Sequence, residues 1–63
     1  MTIELARTMA VRNFRHRADI AEAEGSLTLA HLHRKTADRI EAGIQDNNAD
    51  VQACLARLSG ASA

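Results

Sequence analysis

The chain has 63 residues, and eight Lys and Arg side chains balance eight Asp and Glu. A chain of this length has room for one domain, here 1–63. Such a domain is marginally stable without a disulfide, a structural metal or a partner. The lone cysteine, Cys54, cannot form an intrachain disulfide, and no Cys/His grouping has structural-zinc spacing. Zero net charge excludes a whole-molecule field that would attract nucleic acid or a membrane. We therefore expect the domain to be stabilised by oligomerisation or by a partner.

No apolar run approaches the roughly 18 residues that a membrane-spanning helix needs. A secretory signal core is also absent from the sequence. These features, with the lone thiol, predict a protein of the reducing cytoplasm that does not bind membranes.

The first helix is predicted over 2–24, because no proline interrupts it and Glu4 favours the dipole of its first turn. Gly25 can take the left-handed backbone conformation that ends a helix, and Ser26 can cap the next one. We therefore predict an antiparallel hairpin with its corner at Gly25 and a second helix over 26–42.

The first helix carries two apolar stripes at helical spacing. The stripe predicted to face the second helix contains Ile3, Ala10, Phe14, Ala18 and Ala21, with Val11 at its edge. The other, which we call the outer stripe, contains Leu5, Met9, His16, Ile20 and Ala23. Two stripes indicate contacts on two sides of this helix. The outer stripe is therefore the predicted interface with a third helix, another subunit or a partner.

The apolar face of the second helix is predicted to pack against the first. It contains Leu29, Leu32, Thr36, Ile40 and Ile44, with His33 and Ala37 at its border. In a hairpin turning at Gly25, this face places Leu29 opposite Ala21 and Thr36 opposite Phe14. Large residues then meet small ones, which favours close helix packing.

The segment 43–48 has two interpretations. Gly43 can end the second helix and Asn47-Asn48 can start a third over 49–59, which would bury Val51, Cys54, Leu55 and Leu58. Alternatively, the heptad-like spacing from Ile40 to Leu58 favours one long second helix. We favour the break, with a disordered tail over 60–63. The predicted architecture is all-α, a helical hairpin with a short third helix that assembles into an oligomeric helical bundle.

Few residues offer chemistry. His31 and His33 lie two apart on one helix and point to different sides, so they cannot chelate one ion together. His16 and His33 can approach across the hairpin, but no third ligand stands at a fixed spacing from them. Cys54 lies on an apolar face, as buried cysteines commonly do. With no phosphate loop, paired carboxylates or nucleophile motif, we expect no enzyme activity, no cofactor and no metal.

The charged surface offers a second candidate site. Six cations are predicted to surround the middle of the hairpin as a basic belt: Arg12, Arg15, Arg17, Arg34, Lys35 and Arg39. Such a belt can contact an acidic protein or phosphates, or it can be a solvated face.

The segment Cys54-Leu55-Ala56-Arg57-Leu58 and an aromatic Phe14 close to arginines resemble parts of the Rop family of plasmid copy-number proteins. That resemblance implies a helical hairpin that dimerises and binds paired RNA loops. From the residues themselves we predict a small non-catalytic regulator or adaptor that self-associates and binds another protein. The alternative is a Rop-like hairpin dimer that binds RNA or DNA through the basic belt. We expect this nucleic-acid binding to be weak.

Overall fold

In a computed structural model, which describes residues 2–60, the chain forms three helices and no strand. They are α1 over Thr2–Ala23, α2 over Leu27–Glu41 and α3 over Ala49–Leu58. Both α2 and α3 pack against α1, which is therefore the central element. The predicted all-α class is confirmed, and no described helix is long and apolar enough to cross a membrane. Of the predicted disordered tail, residues 61–63 lie outside the described residues.

The corner of the hairpin forms at Gly25, whose φ of 86° only glycine adopts readily. The Gly25 amide donates to the Glu22 carbonyl at 3.0 Å, and the Ser26 amide donates to the Ala21 carbonyl at 2.8 Å. This pair of hydrogen bonds is a Schellman motif, which satisfies two carbonyls at the end of α1. The predicted side-chain cap by Ser26 is wrong, because the Ser26 side chain makes no capping hydrogen bond.

The same motif recurs at Gly43, which has a φ of 80°. Here the Gly43 amide donates to Ile40 at 3.0 Å and the Ile44 amide donates to Arg39 at 3.2 Å. The next helix is capped by Asn48, whose side-chain oxygen accepts from the Asp50 amide at 2.8 Å. The single long second helix is therefore wrong, and the favoured break is confirmed.

Replacing Asn48 with alanine is expected to destabilise the protein by about 1 kcal/mol, because the first turn of α3 loses its side-chain cap. Asn47 is exposed and does not cap α3. Asn47→Ala is therefore the matched control and should change stability little. Urea denaturation followed by circular dichroism, at one fixed protein concentration, measures both variants. Equal effects of the two substitutions would show that the cap contributes nothing.

The core is rich in alanine. Its main cluster joins all three helices through Ala6, Ala10, Val11, Phe14, Ala37, Ile40, Val51 and Cys54. A smaller cluster near the corner contains only Ala18, Ala21 and Ala30. The largest fully buried side chains are Ile40 and Val51. A core built from such small side chains removes little apolar surface from water.

The predicted inner face of α2 is wrong in its rotation about the helix axis. Leu29, Leu32 and Ile44 are 46%, 54% and 71% exposed. Ile40 is buried as predicted, but Ala30 and Ala37, of which only Ala37 was predicted to lie at the border of this face, are buried in place of the leucines. The physical reason is the alanines on α1, because alanine facing alanine lets two helix backbones approach more closely than leucine would.

The partners across the hairpin change with this rotation. Ala21 shares a cluster with Ala30 instead of meeting Leu29. The ring of Phe14 faces His33, with 5.7 Å between the ring centroids, instead of Thr36. Leu29 and Leu32, which the sequence assigned to the core, therefore remain on the surface.

Candidate functional site

The outer stripe on α1 remains largely uncovered. Leu5 and Ile20 are about half exposed, and His16 and Ala23 are also exposed. Only Met9 is partly buried, where it packs against the edge of the main cluster. The third helix was one expected partner for this stripe. It packs on a different side of α1, because Val51 and Cys54 share their cluster with Ala6 and Ala10.

A second apolar surface lies on α2 and consists of Leu29, Leu32 and Thr36, which we call the α2 seam. Both leucines are exposed, and Thr36 is half-buried with its hydroxyl donating to the Leu32 carbonyl at 3.0 Å. Their spacing of three and four residues places all three on one side of the helix. The sequence indicated this stripe but assigned it to the core.

The basic belt is partly neutralised within the chain. Arg15 lies 3.0 Å from a Glu41 carboxylate oxygen. Arg34 contacts Glu22 at 2.6 Å and Asp19 at 3.1 Å. Hydrogen bonds to these two carboxylates raise the pKa of the Arg34 guanidinium above its usual value. A belt whose cations already face carboxylates has less charge to offer to phosphates.

The remaining belt cations differ in their surroundings. Arg17 lies 2.6 Å from Asp50. Within residues 2–60, no ion pair involves Arg12, Lys35 or Arg39. Because helical spacing places Lys35 and Arg39 one turn apart, these two free cations lie together on the outer side of α2.

Arg17 also links α3 to the aromatic residue of the core. Its guanidinium carbon lies 4.7 Å from the centroid of the Phe14 ring, within cation–π range. The Asp50 oxygen that it contacts is buried and accepts no hydrogen bond of good geometry. The 2.6 Å ion pair with Arg17 is therefore what offsets the burial of that oxygen. Phe14 itself is buried, so it is not available for base stacking.

A groove of about 640 Å³ runs along the polar side of α1. Three carboxylates and three guanidiniums line it, from Glu4, Asp19, Glu41, Arg7, Arg12 and Arg15. His16 also borders the groove, and Val11 is its one large aliphatic lining residue. Small-molecule sites are mostly apolar with a few convergent polar groups. This groove, with its charges in balance, does not have that character.

A bidentate ion pair joins α1 to the loop between α2 and α3. Arg7 donates from Nε to Asp46 Oδ1 at 2.7 Å and from a terminal nitrogen to Oδ2 at 2.6 Å. The Gln52 side chain donates to the Asp46 carbonyl at 2.6 Å, which ties the loop to α3 as well. A Cβ atom on Gly43 would lie in ordinary van der Waals contact with the Arg7 guanidinium, at 3.5 Å. Arg7 therefore holds the loop, and through it the start of α3, against the first helix.

The hydrogen bonds from Arg7 lower the pKa of Asp46 below its usual value. A carboxylate whose pKa is lower in the folded state than in the unfolded state stabilises the fold above its unfolded pKa. That stability is lost as the pH falls through the folded pKa. Asp46→Asn is therefore expected to flatten the acid side of the stability profile, below about pH 4.

Arg7→Ala should produce the same flattening, and the double variant should add nothing further, because both residues serve one interaction. Thermal melting between pH 2 and pH 7 measures these profiles. Independent, additive effects of the two substitutions would show that this ion pair is not the source of the pH dependence.

The candidate chemical residues are not brought together. Within residues 2–60, no group of three or more His, Cys, Asp and Glu could hold a metal ion. His16 is exposed in the charged groove, whereas His33 is half-buried against Phe14. Cys54 is buried in the main cluster. The features that stand out on this protein are thus its exposed apolar surfaces.

Comparisons with protein families, with curated proteins and with solved structures find no match to this chain.

Proposed function

We propose that this chain is a small non-catalytic helical protein, an adaptor or regulator, that self-associates and binds another protein. The observation that carries the proposal is the contrast between its core and its surface. Six of the eleven buried apolar residues are alanines, and the other five are Val11, Phe14, Ile40, Val51 and Cys54. Six large apolar side chains are 45–71% exposed: Leu5, Ile20, Leu27, Leu29, Leu32 and Ile44.

The energetic scale supports association. Full burial of a leucine or isoleucine contributes about 1.5–3 kcal/mol, so burying the exposed half of one contributes roughly 1 kcal/mol. Covering three or four such residues on each copy therefore yields several kcal/mol. This is comparable to the whole stability of a small domain, about 0.05–0.15 kcal/mol per residue. The burial gained on association is thus comparable in size to the net stability of the fold, before the entropic cost of joining two chains is subtracted.

The outer stripe supports protein binding in particular. It runs along most of α1, from Leu5 to Ala23, and nothing in residues 2–60 covers its ends. Leu5 and Ile20 are exposed in line with His16, so the stripe combines apolar ends with a polar centre. A partner helix could bury the apolar positions and hydrogen-bond to His16.

Sedimentation equilibrium over about 1–500 µM tests self-association, because a dimer of this kind is expected in the micromolar range. A mass above the 6.8 kDa of one chain is expected. A monomer at every concentration would remove the self-association half of the proposal. Binding to another protein is tested by a pull-down from nuclease-treated lysate. The wild type should retain a protein that the Ile20→Asp variant does not retain. Retention that disappears on nuclease treatment alone would contradict protein binding.

Binding of RNA or DNA by the basic belt is expected to be weak and to fall steeply with salt, because three of the six belt cations contact carboxylates in the chain. A titration of duplex and single-stranded probes at low and physiological salt measures this. Removing Arg12 should reduce the salt slope by about one unit. Tight binding at physiological salt, lost in Arg15→Ala, would favour a nucleic-acid regulator over an adaptor.

A further inference from the structure

We infer that the α2 seam is the surface through which two copies of this chain meet, in an antiparallel arrangement of their α2 helices. The inference rests on the proposed self-association and assigns it to Leu29 and Leu32. The outer stripe on α1 is then left for the other partner.

The seam lies on the same side of the hairpin as α3. One edge between α1 and α2 is lined by ion pairs, in which Arg34 and Glu41 of α2 take part. Ile40 lies toward the other edge, because it shares the main cluster with Val51 and Cys54 of α3. Leu29 stands eleven residues, about three helical turns, before Ile40 and on nearly the same side of the helix. The seam therefore extends, toward the corner, the surface that α3 covers.

The third helix is too short to cover this extension. It has 10 residues, whereas α1 has 22, so it spans less than half of the length of α1. The corner cluster of Ala18, Ala21 and Ala30 contains no residue of α3. At its corner end the molecule is thus two helices thick, with exposed leucines beside a core of three alanines.

A second copy fits this surface in shape and spacing. Apolar residues three and four apart form a seam that pairs with a helix of the same spacing, and another α2 provides one. A standard interface buries about 800 Å² on each partner, roughly a fifth of the 4271 Å² surface of this chain. The seam offers only two exposed leucines and one half-buried threonine, which predicts a weak dimer that depends on concentration.

The charges select the antiparallel orientation. Lys35 and Arg39 border the seam and take part in no ion pair within residues 2–60. If Leu29 of one copy meets Leu32 of the other, these cations reach the corner of the partner, where Glu24 is exposed and equally unpaired. A parallel arrangement would instead place each cation beside the same cation of the other copy, where the two like charges repel. Opposite charges across an interface fix its register in this way.

The test uses two leucines of almost equal exposure on different surfaces, Leu32 at 54% and Leu5 at 51%. Sedimentation equilibrium measures the dimer dissociation constant, and circular dichroism verifies that each variant is helical. Leu32→Asp is expected to weaken the dimer by at least about tenfold, whereas Leu5→Asp should change it less than about threefold.

A dimer that survives Leu32→Asp and dissociates with Leu5→Asp would overturn this inference and leave self-association intact. A wild-type protein that stays monomeric would overturn both. For the orientation, Glu24→Arg and Arg39→Glu should each weaken the dimer, and the double variant should restore it. Failure of the double variant to restore the dimer would contradict the antiparallel pairing.

Discussion

Replacing Ile40 with alanine is expected to destabilise the fold by about 2–5 kcal/mol, the usual cost of such a truncation in a core. Ile40 is fully buried, and its cluster contains residues from all three helices. A cavity at this position weakens the packing of α1 against α2 and against α3 at the same time. Since a domain of this size has only about 3–9 kcal/mol of stability, a large fraction of the variant should be unfolded at 37 °C.

Ile44→Ala is the control, because Ile44 is 71% exposed and carries the same side chain four residues away. Its replacement should change stability by less than about 0.5 kcal/mol. Urea denaturation monitored by circular dichroism compares the two variants. A similar loss in both would mean that Ile44 is buried as well, as the sequence alone predicted.

Enlarging Ala30 to leucine is expected to cost about 1–3 kcal/mol, because the added carbons would force α1 and α2 apart at the corner. Ala30 is 1% exposed and meets Ala18 and Ala21. Ala56 lies exposed on α3, so Ala56→Leu adds the same carbons without a packing conflict and serves as the control. A stabilised Ala30→Leu protein would show that the two helices do not approach closely through their alanines.

The sequence predicts the helices and their ends well because these depend on local chemistry. Gly25 and Gly43 end helices through left-handed backbone conformations that few other residues adopt. Asn48 supplies a side-chain cap within two residues of its own position. Such signals require no knowledge of distant parts of the chain, and α1, α2 and α3 begin and end within one residue of the predicted bounds.

The rotation of α2 could not be predicted from apolar spacing alone. Two overlapping stripes on this helix are compatible with a buried face, one with Leu29 and Leu32 and one with Ala30 and Ala37. Hydrophobicity favours the leucines, whereas close approach of the backbones favours the alanines. The choice depends on which residues α1 presents, and that is a property of the pair of helices.

The outer stripe and the α2 seam also differ in how far the sequence predicts them. Helical spacing predicts the outer stripe, but its exposure depends on where α3 packs. The α2 seam became visible only when the structure showed Leu29 and Leu32 outside the core. Long-range ion pairs such as Arg7 with Asp46 were also missed, because a surface arginine has many carboxylates that it could meet across 39 residues of sequence separation.

The most direct test of the link between folding and self-association is the melting temperature of the wild-type protein as a function of its concentration. If the folded chains bind one another, the melting temperature should rise by roughly 5 °C for each tenfold increase in concentration, because mass action favours the associated, folded state. Calorimetry or circular dichroism from about 10 µM to 1 mM covers the micromolar range expected for this dimer. A melting temperature that does not change over this range would contradict the proposal that association stabilises the fold.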